Sequence, residues 1–90
     1  MWACITQFDA ATGADTFRAD AAPKRLRYWF EGDNSLFVGS ATQLEDFVED
    51  DVAVMNVTSL GSYDYETTLG GNITVPMFSV DRITRRGSCA

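Results

Sequence analysis

The stretch Ser40-Ala41-Thr42-Gln43-Leu44-Glu45-Asp46-Phe47-Val48-Glu49-Asp50-Asp51 decides the fold class, because it carries the strongest helical signal in the chain. Ser40 and Gln43 form a capping-box pattern, the Ser40 oxygen accepting from the N3 amide while the Gln43 side chain reaches back. Ala41, Leu44, Phe47 and Val48 then recur at helical spacing, with Glu45, Asp46, Glu49 and Asp50 on the opposite side. The spacing predicts a helix over 41–50.

Working outward, the flanks read as strands. Ser35 to Gly39 is a short apolar run after the turn residues Gly32-Asp33-Asn34, and it pairs back on Lys24 to Glu31. In that partner Leu26, Tyr28 and Phe30 alternate with Arg25, Arg27, Trp29 and Glu31, the clearest strand pattern in the sequence. Trp2 to Phe8 alternates more loosely and reads as a first strand. Asp9 to Ala22, rich in Ala, Asp, Thr and Gly with Phe17 as its one anchor, reads as a long loop or weak hairpin.

On the C-terminal side, Val52 to Thr58 is β-branched and apolar, as expected of a central strand covered on both faces, with Asn56 needing a partner. Tyr63 to Thr67 alternates as an exposed edge strand, and Ile73 to Val80 is a last strand in which Pro76 favours an edge or a bulge. The expectation is therefore an α+β domain over 1–81, a small antiparallel or mixed sheet of four to six strands with one amphipathic acidic helix packed on it. Residues 82–90 read as a basic, flexible tail.

Ninety residues suffice for one core, and a 46% hydrophobic fraction argues against compositional disorder. The net charge of −6 is segregated: Met1 to Phe30 carries four bases and three acids, Glu31 to Asp81 ten acids and no base, and the tail Arg82, Arg85 and Arg86. Asp outnumbers Glu and Arg outnumbers Lys, a composition that salt adaptation also produces. Cys4 and Cys89 lie too far apart in sequence for a zinc or redox motif. Without a secretion signal they are expected as reduced thiols, with a bridge between the termini as the alternative. No apolar run is long enough to span a membrane, so a cytoplasmic protein is expected, in host cytoplasm if it is viral.

Catalysis is not expected: there is no histidine, nucleophile elbow, P-loop or Gly-x-Gly-x-x-Gly. The acids lack the spacing of a calcium loop, so no metal or cofactor is predicted. What remains is organised charge. Glu45 with Glu49 and Asp46 with Asp50 are like-charge i,i+4 pairs, each costing roughly 0.2–0.5 kcal/mol in an isolated helix. Asp50 and Asp51 would also oppose the helix dipole. Such departures from local consistency point to a site.

The function expected from these features is a small acidic, non-catalytic protein-binding module. Its carboxylate-bearing helix would mimic nucleic acid, as a phage or mobile-element inhibitor blocking a basic nucleic-acid-binding partner, with no direct nucleic-acid contact by the chain itself. The residues are Glu45, Asp46, Glu49, Asp50 and Asp51, with Asp64, Glu66, Tyr63 and Tyr65 as a second patch in a monomer or small homo-oligomer. The alternative is a subunit of a virion or other assembly that docks through an edge strand and the basic tail. Lys24 to Phe30 interleaves bases with aromatics in the manner of a nucleic-acid-binding segment, against which the overall acidity weighs.

Overall fold

The computed structural model describes residues 1–8, 15–24, 28, 32–66 and 68–89. The elements in chain order are β1 (Trp2–Phe8), β2 (Thr16–Ala22), β3 (Asp33–Val38), α1 (Ala41–Leu44), β4 (Asp51–Glu66) and β5 (Asn72–Ser88). The strands close a barrel in the order β1-β2-β3-β5-β4, with β1 returning to β4. All pairings are antiparallel except β3 with β5, which is parallel. A five-stranded Greek-key barrel of this order, with its helix between β3 and β4, has the topology of an OB-fold.

This corrects the α+β expectation: the described residues are almost all strand, and no amphipathic helix packs on a sheet. The capping box forms as read, Gln43 N donating to Ser40 Oγ at 3.2 Å and Ser40 N to Gln43 Oε1 at 3.0 Å. The helix nevertheless stops after one turn, with Glu45 as its C-cap. Continuing it would have stacked the two like-charge pairs. Instead Leu44 is buried in the core, Phe47 packs against it, and Val48 is exposed. Gln43 Nε2 donates to the Asp81 carbonyl at 3.3 Å, fastening the turn to β5.

The segment expected as a loop contributes β2. Phe17, Ala19 and Ala21 face inward and are buried, which alternation alone did not reveal because alanine is a poor strand former by propensity. A narrow barrel wants small side chains, so here the tertiary fit overrides propensity. β3 pairs with β2 rather than with the segment 24–31, most of which lies outside the described residues. Asn56, expected inside a central strand, is exposed.

The interior is graded in size. Phe8, Phe17, Phe37 and Phe78 stand opposite one another across β1, β2, β3 and β5. Their ring centroids are 5.8, 5.2 and 5.5 Å apart in succession, the last two pairs stacked. Further along, Ala19 pairs with Ile5, and Ala3 stands between Ala21 and Ala53. Large and small layers thus fill the tapering interior.

β4 and β5 outgrow the barrel. β1 pairs with β4 at Val54, Ala53 and Val52, and β3 pairs with β5 at Leu36–Val38 opposite Met77–Ser79. From Ser62 opposite Pro76 to Glu66 opposite Asn72 the two strands pair with each other alone among the described residues, forming a projecting ribbon. Gly61, at φ +94°, sits at the register shift where the ribbon departs, a conformation glycine adopts without a side-chain penalty. Arg82, Arg85 and Arg86, expected in a loose tail, lie in β5 and run alongside Asp51–Asn56.

That pairing also brings the distant cysteines together. Cys4 lies opposite Val52 and Val52 opposite Gly87, and Cys4 and Cys89 form a disulfide with a Cα–Cα distance of 6.1 Å. The expectation of reduced thiols is corrected accordingly. The bond closes a loop with a sequence separation of 85. Disulfides typically stabilise by about 2–4 kcal/mol, chiefly by restricting the unfolded chain, and long loops lie at the upper end. Reduction in the presence of a chelator is therefore expected to lower the thermal midpoint by on the order of 10–20 °C, read by circular dichroism.

Candidate functional site

The outer surface of β1, β2 and β3 is built by alternation. Because Phe17 and Ala19 point inward, Arg18 and Asp20 point outward, and the register extends this into two rows. In one, Gln7, Arg18, Leu36 and Met77 stand opposite one another across β1, β2, β3 and β5. In the other, Cys4, Asp20 and Asn34 do so across β1, β2 and β3. Arg18 Nη2 donates to Gln7 Oε1 at 2.9 Å and Thr6 Oγ1 to the Arg18 carbonyl at 3.1 Å, which holds the guanidinium over the face.

The same face continues onto the ribbon. Val75, two residues before Met77 and opposite Tyr63, is buried at 4% exposure, and Leu36 at 3%, although both lie outside the core cluster. With half-buried Met77 and Tyr63 they make an apolar strip beside Arg18. Between β2 and β3 the sequence carries Lys24, Arg25 and Arg27; Lys24 and Tyr28 are exposed, and Arg25, Arg27 and Trp29 lie outside the described residues.

The acids expected to act together are dispersed. Glu45 and Asp46 follow α1 in a turn, Glu49 and Asp50 form another, and all four carboxylates are exposed without a shared helical face. Asp51 accepts from Val48 N at 2.9 Å and pairs with Arg85, Nε to Oδ2 at 3.1 Å, while the Arg85 guanidinium lies 5.0 Å from the Phe47 ring centre. Asp64 and Glu66 are exposed on the ribbon, Asp64 accepting from Thr74 Oγ1. In the backbone register Tyr63 stands opposite Val75 and Tyr65 opposite Ile73. Arg18, Asp20, Leu36 and Val75 went unnoticed as a surface because the strand that organises them read as a loop. The alternation Phe17-Ala19-Ala21 was the available signal.

No protein family matches the chain, and no curated protein or solved structure does either. Among the described residues no helix is long and apolar enough to cross a membrane.

Partial burial pushes the Asp20 carboxyl above the ordinary carboxylate range. For an acid the raised folded-state pKa means that its contribution to stability is full below the unfolded value near 3.8 and is lost as pH rises through the folded value. Asp20→Asn is accordingly expected to raise the thermal midpoint at pH 7 and to leave it nearly unchanged near pH 3, where both side chains are neutral. A loss of stability at pH 7 would contradict this assignment.

Proposed function

We propose that the chain is a non-catalytic module that binds single-stranded nucleic acid across the outer face of β1–β3 and the base of the ribbon. The observation that carries this reading is the register that sets Arg18 beside the strip Leu36, Met77, Val75 and Tyr63 on an OB-type barrel. Five-stranded barrels of this topology bind oligonucleotides on the face of strands 2 and 3 with the loops around it. Stacking on an aromatic ring and neutralisation of phosphate by Arg and Lys are the two interactions that single strands offer whatever their sequence. Here Tyr63 supplies a ring, Arg18 a fixed cation, and the exposed Lys24 just after β2 a further base. The strip Leu36, Tyr63, Val75 and Met77 lies within the acidic stretch Glu31 to Asp81, so Arg18 and Lys24 of the near-neutral N-terminal block supply the positive charge of this face.

The test is fluorescence anisotropy of a labelled oligothymidine of about 16 nucleotides. Binding is expected to weaken linearly on a log-log salt plot. Tyr63→Ala is expected to cost about 1–3 kcal/mol, and Arg18→Glu at least about tenfold in affinity and part of the salt slope. Equal binding of duplex, or no salt-dependent rise in anisotropy with folded protein at low salt, would overturn the reading. So would displacement of the oligonucleotide from a basic DNA-binding protein that depends on Glu45, Asp46, Glu49 and Asp50, which would return the function to the acidic surface.

A second reading rests on the ribbon. Its β4 edge beyond Met55 and its β5 edge before Met77 have no partner strand among the described residues, and Leu60 and Ile73 are exposed at 48% and 42%. Unpaired edges with apolar side chains recruit further strands, as expected of an assembly subunit. Light scattering behind a sizing column would then show concentration-dependent higher species that Ile73→Lys reduces; a monomer at all concentrations dismisses it.

A further inference from the structure

The disulfide does not stand alone at the closure of the barrel. Asp50 sits directly against it, in the left-handed region at φ +71°, its backbone shared between two elements. Asp50 N donates to the Ile5 carbonyl at 2.8 Å, and Cys89 N donates to the Asp50 carbonyl at 2.8 Å. Aspartate tolerates this conformation better than most residues, and the two hydrogen bonds fix it between the end of β5 and the strand that bears Cys4. As a result the sulfurs of Cys4 and Cys89 and a carboxylate oxygen of Asp50 all lie within 4.8 Å of one another.

We propose that, when the disulfide is reduced, Cys4, Cys89 and Asp50 form a site for a thiophilic divalent cation of the zinc type. Two thiolates on a tetrahedral zinc stand about 3.8 Å apart, given Zn–S bonds of about 2.3 Å, and a carboxylate oxygen binds at about 2.0–2.2 Å. Opening the disulfide to that separation needs side-chain rotation only, since the backbone bonds around Asp50 already set the three residues together. Cys4 is buried, Cys89 half-buried and Asp50 exposed, so the fourth coordination position faces solvent and takes water.

The chemistry balances with an external thiol as reductant. Two thiols transfer two electrons and two protons to the protein disulfide, leaving Cys4 and Cys89 as thiols and the reductant as its own disulfide. The divalent cation then replaces the two thiol protons, which are released to solvent. Either state ties the C-terminal end of β5 to β1. The closure is thereby kept in an oxidising compartment by the covalent bond and in a reducing one by the metal.

Cobalt(II) is the probe. With anaerobic, phosphine-reduced protein, titration is expected to give thiolate-to-cobalt charge-transfer absorption saturating at about one cobalt per chain, bleached by zinc, and absent from the oxidised chain. Asp50→Asn, which suits the same backbone conformation, should weaken cobalt binding by at least about tenfold, and Cys89→Ser should remove the band. Zinc should also raise the thermal midpoint of the reduced wild type and leave that of a Cys4→Ser/Cys89→Ser double variant unmoved. No charge-transfer band in excess cobalt overturns the proposal, as does a band indifferent to Asp50→Asn. If reduction unfolds the chain, zinc must restore the native circular dichroism spectrum, and failure to do so equally overturns it.

Discussion

The row of packed rings Phe8, Phe17, Phe37 and Phe78 is the interaction on which the rest of the barrel depends. Each ring comes from a different strand, so packing them together fixes the register of β1, β2, β3 and β5 at once. A slip of one residue in any of these strands would turn its ring outward and its outward-facing neighbours inward. The parallel contact of β3 with β5 is the most demanding pairing, because the intervening chain must cross the barrel end. It is anchored by Phe37 opposite Phe78 and by the single helical turn, whose Leu44 closes the interior below.

The opposite requirement holds where alanines line the interior. Ala3, Ala19, Ala21 and Ala53 let the strands converge, and a Cβ added at Gly32 would come within 3.1 Å of the Ala21 backbone. The outer face lies on the other side of these strands. Its relief comes from side chains that ride above the sheet: Arg18 held by Gln7, and the apolar strip where the ribbon leaves.

Charge is distributed according to position rather than to any single structural device. The acids after α1 lie in turns, where their separation is not held at one helical pitch, and Asp51 is spent on Arg85 rather than on solvent. Electrostatic organisation read from the sequence was real as a regional imbalance, yet it did not translate into a geometric array. The arginines of β5 illustrate the same point: they read as a tail because they follow the last obvious apolar alternation, whereas pairing with β4 carries the strand on to Ser88.

By itself the sequence determined β1, the capping box at Ser40 and Gln43, the strands around Val52 and Ile73, the regional charge and the lack of a recognisable catalytic motif, because these rest on local pattern and residue type. That Tyr63 stands opposite Val75 on a ribbon projecting from a barrel was not legible in it. The length of α1, the existence of β2, the disulfide and the Arg18 face were decided by the tertiary structure. The helix ended because core burial of Leu44 and Phe47 did not require a second turn, while like-charged side chains opposed one. β2 exists because a narrow barrel rewards alanine where isolated strands do not. The cysteines met because β4 lies between β1 and β5, a non-local pairing that no window of sequence contains.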